Sequence, residues 1–199
     1  MTTPSDSWDS AYAGEAPPWD IGRPQPAFTR LADRGLLSGR LLDSGCGTGE
    51  HTLLAAARGA DAVGVDISPL AIEMARQKAG GRGVAARFEV ADALSLGSLG
   101  LTFDTIIDSG VFHVFDDSQR IRYAKSLWSV LRPEGSCYLM CFSDREPGDW
   151  GPRRVRRDEL EAAFADGWSF TGIAADEFLL NPGMGTPAAQ AWLASLRRI

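Results

Sequence analysis

The chain has no apolar run near the roughly 18 to 20 residues that span a bilayer, so a membrane helix is not expected. Cysteine is scarce. Cys46, Cys137 and Cys141 form no C-x-x-C pair, which argues against a disulfide framework or a zinc site and suits a reducing compartment. No metal is expected. Lysine is nearly missing, with only Lys78 and Lys125, and 20 basic residues face 26 acidic ones for a net charge of −6. A surface that acidic is wrong for a protein living on phosphate backbones, so nucleic acid is not an expected partner. The opening MTTPSDSWDS lacks the basic and apolar regions of a secretory signal, and the expected location is the cytoplasm. Low-complexity linkers and internal repeats are also missing.

What is present reads as an ordinary globular protein, 44% hydrophobic and 23% charged. Residues 1–199 are expected to form one domain: an arm and short helix over 1–38, then a core over 39–199. Pro17-Pro18-Trp19-Asp20-Ile21-Gly22-Arg23-Pro24 cannot be helix interior, because proline removes donors and fixes φ. Strands are expected over 40–44, 62–66, 84–90, 103–108, 135–142, 169–178 and 191–199. Helices are expected from Pro26 to just before Gly35 and over 50–58, 69–79, 118–131 and 158–165. That alternation predicts a doubly wound α/β fold, Rossmann-like. Its seven-stranded, mostly parallel sheet carries helices on both faces and closes with an antiparallel C-terminal pair. Ligands of such sheets bind outside the carboxyl ends of the strands.

Three of those ends carry acids. Leu41-Leu42-Asp43-Ser44-Gly45-Cys46-Gly47-Thr48-Gly49 leaves a strand and enters a helix, with glycines that let backbone turn sharply and a ligand come close. A dinucleotide fingerprint needs glycine where Glu50 stands, so that reading is weak. Val63-Gly64-Val65-Asp66 ends the second strand with a carboxylate able to accept from both ribose hydroxyls. Val90-Ala91-Asp92-Ala93 follows the third, where an acid and a backbone amide can bind an adenine edge. The competing reading of each acid is a loop or helix cap.

LLDSGCGTGEH, GVDIS and VADA resemble the first three cofactor motifs of class I S-adenosylmethionine-dependent methyltransferases. FDTIIDSG and VLRPEG resemble their later motifs. The arm PPWDIGRPQP and the stretch SDREPGDWGPRRV are similar to a narrower group containing thiopurine, plant halide/thiol and bacterial heterocyclic-toxin methyltransferases. The resemblance runs from about Trp8 to the C-terminus. It implies S-adenosylmethionine as cofactor, with S-adenosylhomocysteine as product. It also implies methyl transfer by in-line displacement to O, S or N of a small aromatic heterocycle. Asp43 is implied near the methionine ammonium, with Gly45, Cys46 and Gly47 beneath the methionine. Asp66 takes the ribose and Ile67 the adenine face, while Asp92 and Ala93 meet the adenine edge. Asp108 and Val111 close the methionine side. Trp19 folds over the cofactor with Asp20 and Gln25 beside it. The chain is shorter than the thiopurine enzymes, which leaves the acceptor open.

His113 follows the fourth strand, where an acceptor approaches. Its ordinary pKa near 6.5 suits a general base or an acceptor-orienting group, against the plainer reading of a loop histidine bonded to backbone. His51 is expected to be structural. Phe112, Phe115, Trp150 and Arg153 are candidates for the acceptor wall, with Arg154 an alternative to Arg153, although the basic run 153–157 can equally be a solvated face. Trp8 and Tyr12 are candidates for the lid. Two other functions stay open: a non-catalytic S-adenosylmethionine sensor or carrier, and a dinucleotide-dependent oxidoreductase. The partner expected is a small molecule, and a monomer is compatible with the sequence.

Overall fold

The computed structural model describes residues 4–181 and 185–199. Residues 1–3 and 182–184 lie outside them. The chain runs α1 (Pro4–Tyr12), α2 (Pro26–Asp33), β1 (Arg40–Ser44), α3 (Glu50–Ala57), β2 (Asp61–Asp66), α4 (Pro69–Arg82), β3 (Arg87–Val90) and β4 (Phe103–Ser109). It continues through α5 (Asp117–Val130), β5 (Leu131–Phe142), α6 (Arg157–Ala163), β6 (Trp168–Leu179) and β7 (Ala188–Arg198). Short 3-10 turns cover Ala93–Leu99 and Phe112–Val114. No helix among the described residues is long and apolar enough to cross a membrane.

The seven strands form one sheet in the order β3-β2-β1-β4-β5-β7-β6. β1 pairs in parallel with both β2 and β4, so the strand order reverses there and a crevice opens at their carboxyl ends. β7 inserts antiparallel between β5 and β6, as the expected closing pair. Side-chain alternation divides the core. Leu42, Ile106 and Leu139 face Tyr123, Ala124 and Leu127 of α5, whereas Leu41, Ile107 and Met140 face Phe28 and Leu31 of α2.

Local chemistry sets the element ends. Ser68 caps α4 by accepting from Ala71 N–H, with Pro69 in the first turn. The Gly80-Gly81 pair does not end α4. Gly83, left-handed at φ 64°, does, so the helix outruns the expected 79. Val84 then donates to Ala79 O in that cap, which delays β3 beyond the expected start at 84. β5 begins at Leu131 instead of 135, because the β4 register jumps from Leu131 to Ser136 across a bulge holding Glu134 at φ 64°. The arm holds a helix the sequence reading lacked, α1, with Pro4 and Asp6 in its first turn.

Leu127→Ala removes a fully buried side chain from the α5 face of the core. It is expected to cost about 2–5 kcal/mol in urea unfolding, and a loss below about 1 kcal/mol contradicts the packing described.

Candidate functional site

Past Ser44 the chain turns through Gly45, Gly47 and Gly49, all at positive φ (73°, 50° and 89°). Gly45 and Cys46 N–H both donate to Val65 O at 2.8 Å, tying the loop to β2. Asp66 holds it from the other side: Oδ2 accepts from Gly47 N–H and Oδ1 from Ser68 N–H, each at 2.9 Å. The Ile67 N–H also bonds to this carboxylate, which still has lone-pair capacity to spare. Two loop glycines are covered. Val111 lies where a Cβ on Gly45 would stand, and Tyr12 Oη sits 2.9 Å from the Cβ position of Gly47.

Beneath the loop Asp43 is fully buried. Its Oδ2 accepts from Thr52 Oγ1 at 2.7 Å, while Oδ1 has no partner among the described residues. Burial, aided by the Asp66 charge, pushes its pKa up to about 7. Asp108 is also fully buried. It accepts from Val111 N–H at 2.7 Å and Phe112 N–H at 3.1 Å, and burial, with a smaller contribution from Asp43, raises it to about 7. Asp66 is raised too, again mainly by burial. Cys46 is buried, and burial followed by the Asp43 charge pushes its thiol up, so it is no nucleophile. Glu50 has a structural task. Burial alone would raise it, but Arg82 and Lys78 hold it low and tie α3 to α4 at 2.7–2.9 Å.

The arm crosses this crevice. Asp9 accepts from Ser68 Oγ and from Leu70 N–H, adding a carboxylate at the N-terminus of α4. Asp20 accepts from Thr48 Oγ1 at 2.7 Å, and Asn181 N–H donates to Pro18 O at 2.8 Å. Trp19, 37% exposed, donates to Tyr12 Oη at 3.1 Å and meets the Trp8 ring edge-on at 5.7 Å. Ile67 is half-buried after β2. Exposed Asp92 accepts from Leu94 N–H, the plain capping role, with Ala93 opening that turn.

His113 is 6% exposed. Its Nδ1 accepts from Phe142 N–H at 3.0 Å, and its ring packs on Phe142 at 5.0 Å and Phe178 at 6.1 Å. Trp150 meets the edge of Phe142 at 5.5 Å. Burial, then the charges of Arg120 and Arg154, lowers His113 to about 3, so the ring is neutral. His51 is the structural histidine expected. Its Nε2 accepts from Gln25 N–H at 3.0 Å, and burial lowers it to about 4.

Four expectations are corrected. Gln25 is no cofactor ligand, because its carboxamide is doubly bonded to the Leu179 backbone at 2.9 Å. Phe112 is core, fully buried against Phe164 and under the Arg120 guanidinium. Arg153 turns outward to Asp117 and Glu159. Its neighbour Arg154 turns inward, stacks on Phe142 and Trp150, and donates to four carbonyls of 146–152. The general-base role of His113 meets the obstacle that Nδ1 is occupied. Phe115, half-buried on Tyr123 at 5.1 Å, stays compatible with either reading. Sequence reasoning missed Asp9, Phe142 and Phe178, and held the inward Arg154 only as the alternative to Arg153. The aromatics at the ends of β5 and β6 were the available signal. A hollow of about 410 Å³ between α5 and the α6–β6 turn, lined by Ile121, Trp128 and Trp168, borders none of the expected residues.

Residues 41–135 match a family model described as a methyltransferase domain. The chain is 35% identical over 187 residues to 2-heptyl-1-hydroxyquinolin-4(1H)-one methyltransferase of Mycobacteroides abscessus, covering 88% of this chain and 82% of that protein. It is 28% identical to probable thiol methyltransferase 2 of Arabidopsis thaliana, over 94% and 84% of the two chains. A solved structure from work on the conversion of a disulfide bond into a thioacetal group during echinomycin biosynthesis superimposes with a TM-score of 0.90. That structure is 37% identical, with 98% of this chain and 93% of that one covered.

A carboxyl raised to about 7 is largely neutral at pH 6 and ionised at pH 8. If Asp43 receives the ligand's ammonium, the carboxylate is the binding form. Affinity for S-adenosylhomocysteine is therefore expected to tighten by about tenfold from pH 6 to 8. Asp43→Asn is expected to weaken binding at pH 8 and flatten the profile. Calorimetric titration at three pH values checks both, and a pH-independent affinity in the native protein contradicts the assignment.

Proposed function

We propose that this chain, which belongs to the S-adenosylmethionine-dependent small-molecule methyltransferases, methylates O, S or N of a small aromatic heterocyclic acceptor by in-line displacement. The supporting observation is the junction at Gly110-Val111. Val111 lies over Gly45 of the glycine loop, and Gly110 lies against the His113 and Phe178 rings, so an acid-lined crevice and an aromatic cluster share one short loop.

The residues fit the cofactor. The unpartnered Asp43 Oδ1 suits the ammonium, and Gly45, Cys46 and Gly47 form the loop above it, its glycines closely covered by Val111 and Tyr12. Asp66 offers lone pairs to the ribose, Ile67, Asp92 and Ala93 border the adenine, and Asp108 with Val111 closes the methionine side. Trp19 and Asp20 belong to the cover. In this reading residues 1–199 act as one unit, 1–38 as arm and 39–199 as core. When bound, S-adenosylmethionine supplies an already activated sulfonium methyl. The chain's own work is then to hold the acceptor atom about 3 to 3.5 Å from that carbon, in line, and to keep water out. Half-buried Trp150, backed by the buried rings of Phe142 and Phe178, supplies the flat apolar surface, with Phe115 at its margin. The relatives' names, a hydroxyquinolinone and a thiol methyltransferase, support a flat acceptor with a heteroatom nucleophile. Neither a carrier nor a dinucleotide oxidoreductase has an observation in its favour.

Transfer of labelled methyl to hydroxyquinolones, aromatic thiols, phenols and iodide tests this reading. Turnover on an aromatic member is expected, and none on any member with S-adenosylhomocysteine still bound overturns it. Trp150→Ala is expected to raise KM for the accepted aromatic by about tenfold and to leave S-adenosylhomocysteine affinity unchanged. Equal losses in both place Trp150 elsewhere.

A further inference from the structure

We infer that the acceptor enters this site as an anion and that His113 orients it as a fixed Nε2–H donor, not as a general base. The inference rests on the methyltransferase reading of the cleft and specifies the acceptor that cleft takes.

The tautomer is set by the backbone. Nδ1 accepts the Phe142 N–H at 3.0 Å, so the proton of a neutral ring sits on Nε2. A proton abstracted from an acceptor could land only on Nδ1. That would displace the partner of a backbone N–H at the end of β5, and a buried N–H without a partner is costly. Nε2–H donates to nothing among the described residues and lies 3.3 Å from the Cβ position of Gly110, at the junction with the glycine loop. It is placed to donate.

The charges around the ring agree. From α5 comes Arg120, 2% exposed, whose Nη2 is buried without a partner among the described residues. The carboxylates that act on it are shared: Glu159 at 3.4 Å also serves Arg153 and Arg156, and Asp117 pairs with Arg153. From the loop after β5 come Arg154, bonded among the described residues to carbonyls, and buried Glu146, whose carboxylate accepts from Gln190 N–H. The ends of β5 and β6 present the rings of Phe142 and Phe178. The carboxylates nearest along the chain are engaged: Asp116 caps α5, accepting from Gln119 N–H and Ser118 Oγ, and Asp108 accepts from Val111 and Phe112 N–H. The acids Asp43, Asp66 and Asp20 gather at the cofactor loop instead. One end of the cleft therefore suits a cation and the other an anion. An anionic acceptor forms its new bond to the methyl carbon as the carbon–sulfur bond breaks onto sulfur. No proton remains to be removed.

Two thiols separate the alternatives. 4-Nitrothiophenol is ionised across neutral pH, whereas benzyl mercaptan ionises well above it. With the native enzyme and saturating S-adenosylmethionine, kcat/KM for benzyl mercaptan is expected to rise about tenfold per pH unit from 6 to 9 and that for 4-nitrothiophenol to stay flat. A general base predicts a flat profile for both. His113→Ala is expected to slow even 4-nitrothiophenol, which has no proton to lose, by at least tenfold. His113→Gln, which restores an N–H near the Nε2 position without a titrating nitrogen, is expected to recover part of that loss. A flat benzyl mercaptan profile, or a His113→Ala loss confined to benzyl mercaptan, overturns the proposal. Binding of both thiols to the S-adenosylhomocysteine complex reads the same property without turnover. At pH 7 4-nitrothiophenol is expected to bind at least tenfold tighter, and equal binding or none overturns the proposal. Tight, pH-dependent binding with no methyl transfer counts instead against the methyltransferase reading of this cleft.

Discussion

Two carboxyls without a protein cation, Asp43 and Asp108, lie fully buried where β1 and β4 end, and much of the crevice is arranged about them. An unpaired buried carboxylate is unfavourable, and proteins answer it by pairing the group, hydrogen-bonding it or letting it take a proton. Asp108 follows the second route, accepting two backbone N–H groups that also turn the 108–112 loop back across the glycine loop. Asp43 follows it only by half, because Thr52 satisfies one oxygen and nothing among the described residues satisfies the other. A group left that way in an otherwise well-paired interior marks a place for something the chain does not contain. A bound cation suits it.

The arm reads as the complement of that arrangement. A flexible Gly/Ser lid would close at a larger entropic cost than one carrying prolines and aromatics. This one is tied at separate points: Asp9 to the start of α4, Asp20 to Thr48, Asn181 to Pro18, and Gln25 to the end of β6. Gln25 thus serves the cover indirectly. By pairing both amide groups with Leu179 and giving its N–H to His51, it fixes the point at which the arm leaves the core. Tyr12 can then rest on Gly47, where only a residue without a Cβ leaves room.

The legible parts of the site were those in which one short loop both turns the chain and presents the group. Asp43, Asp66, Asp108 and the glycines sit within a few residues of a strand end, and strand ends follow from hydrophobic pattern and turn chemistry. What stayed hidden depends on parity or on distant pairing. Arg153 and Arg154 are neighbours beside Val155, which bridges Ser143, and adjacent residues of an extended chain point opposite ways. A shift of one position decides which arginine meets Asp117 and which meets Phe142 and Trp150, and composition is silent on it. The bond from Phe142 to His113 spans 29 positions, and the one from Gln25 to Leu179 spans 154, so neither was available to local reasoning. α1 was missed for another reason. Its nine residues have no strong apolar stripe, and Trp8, Asp9 and Tyr12 find partners only on the folded core.

Burial acts on both ends of the cleft and in both cases removes charge. It raises Asp43 and Asp108 toward neutrality from the acidic side, and lowers His113 so that it is neutral from the basic side. The titratable walls therefore hold less charge at neutral pH than their composition suggests, while the fixed cations Arg120 and Arg154 remain. A cation and an anion entering together would each meet the wall suited to it, and their charges cancel as the methyl group moves. A strong base would work against this arrangement. At the pH where His113 could take a proton, the imidazolium would compete with the cofactor for the same acceptor electrons. A neutral donor held by the backbone of β5 positions the nucleophile and leaves those electrons free.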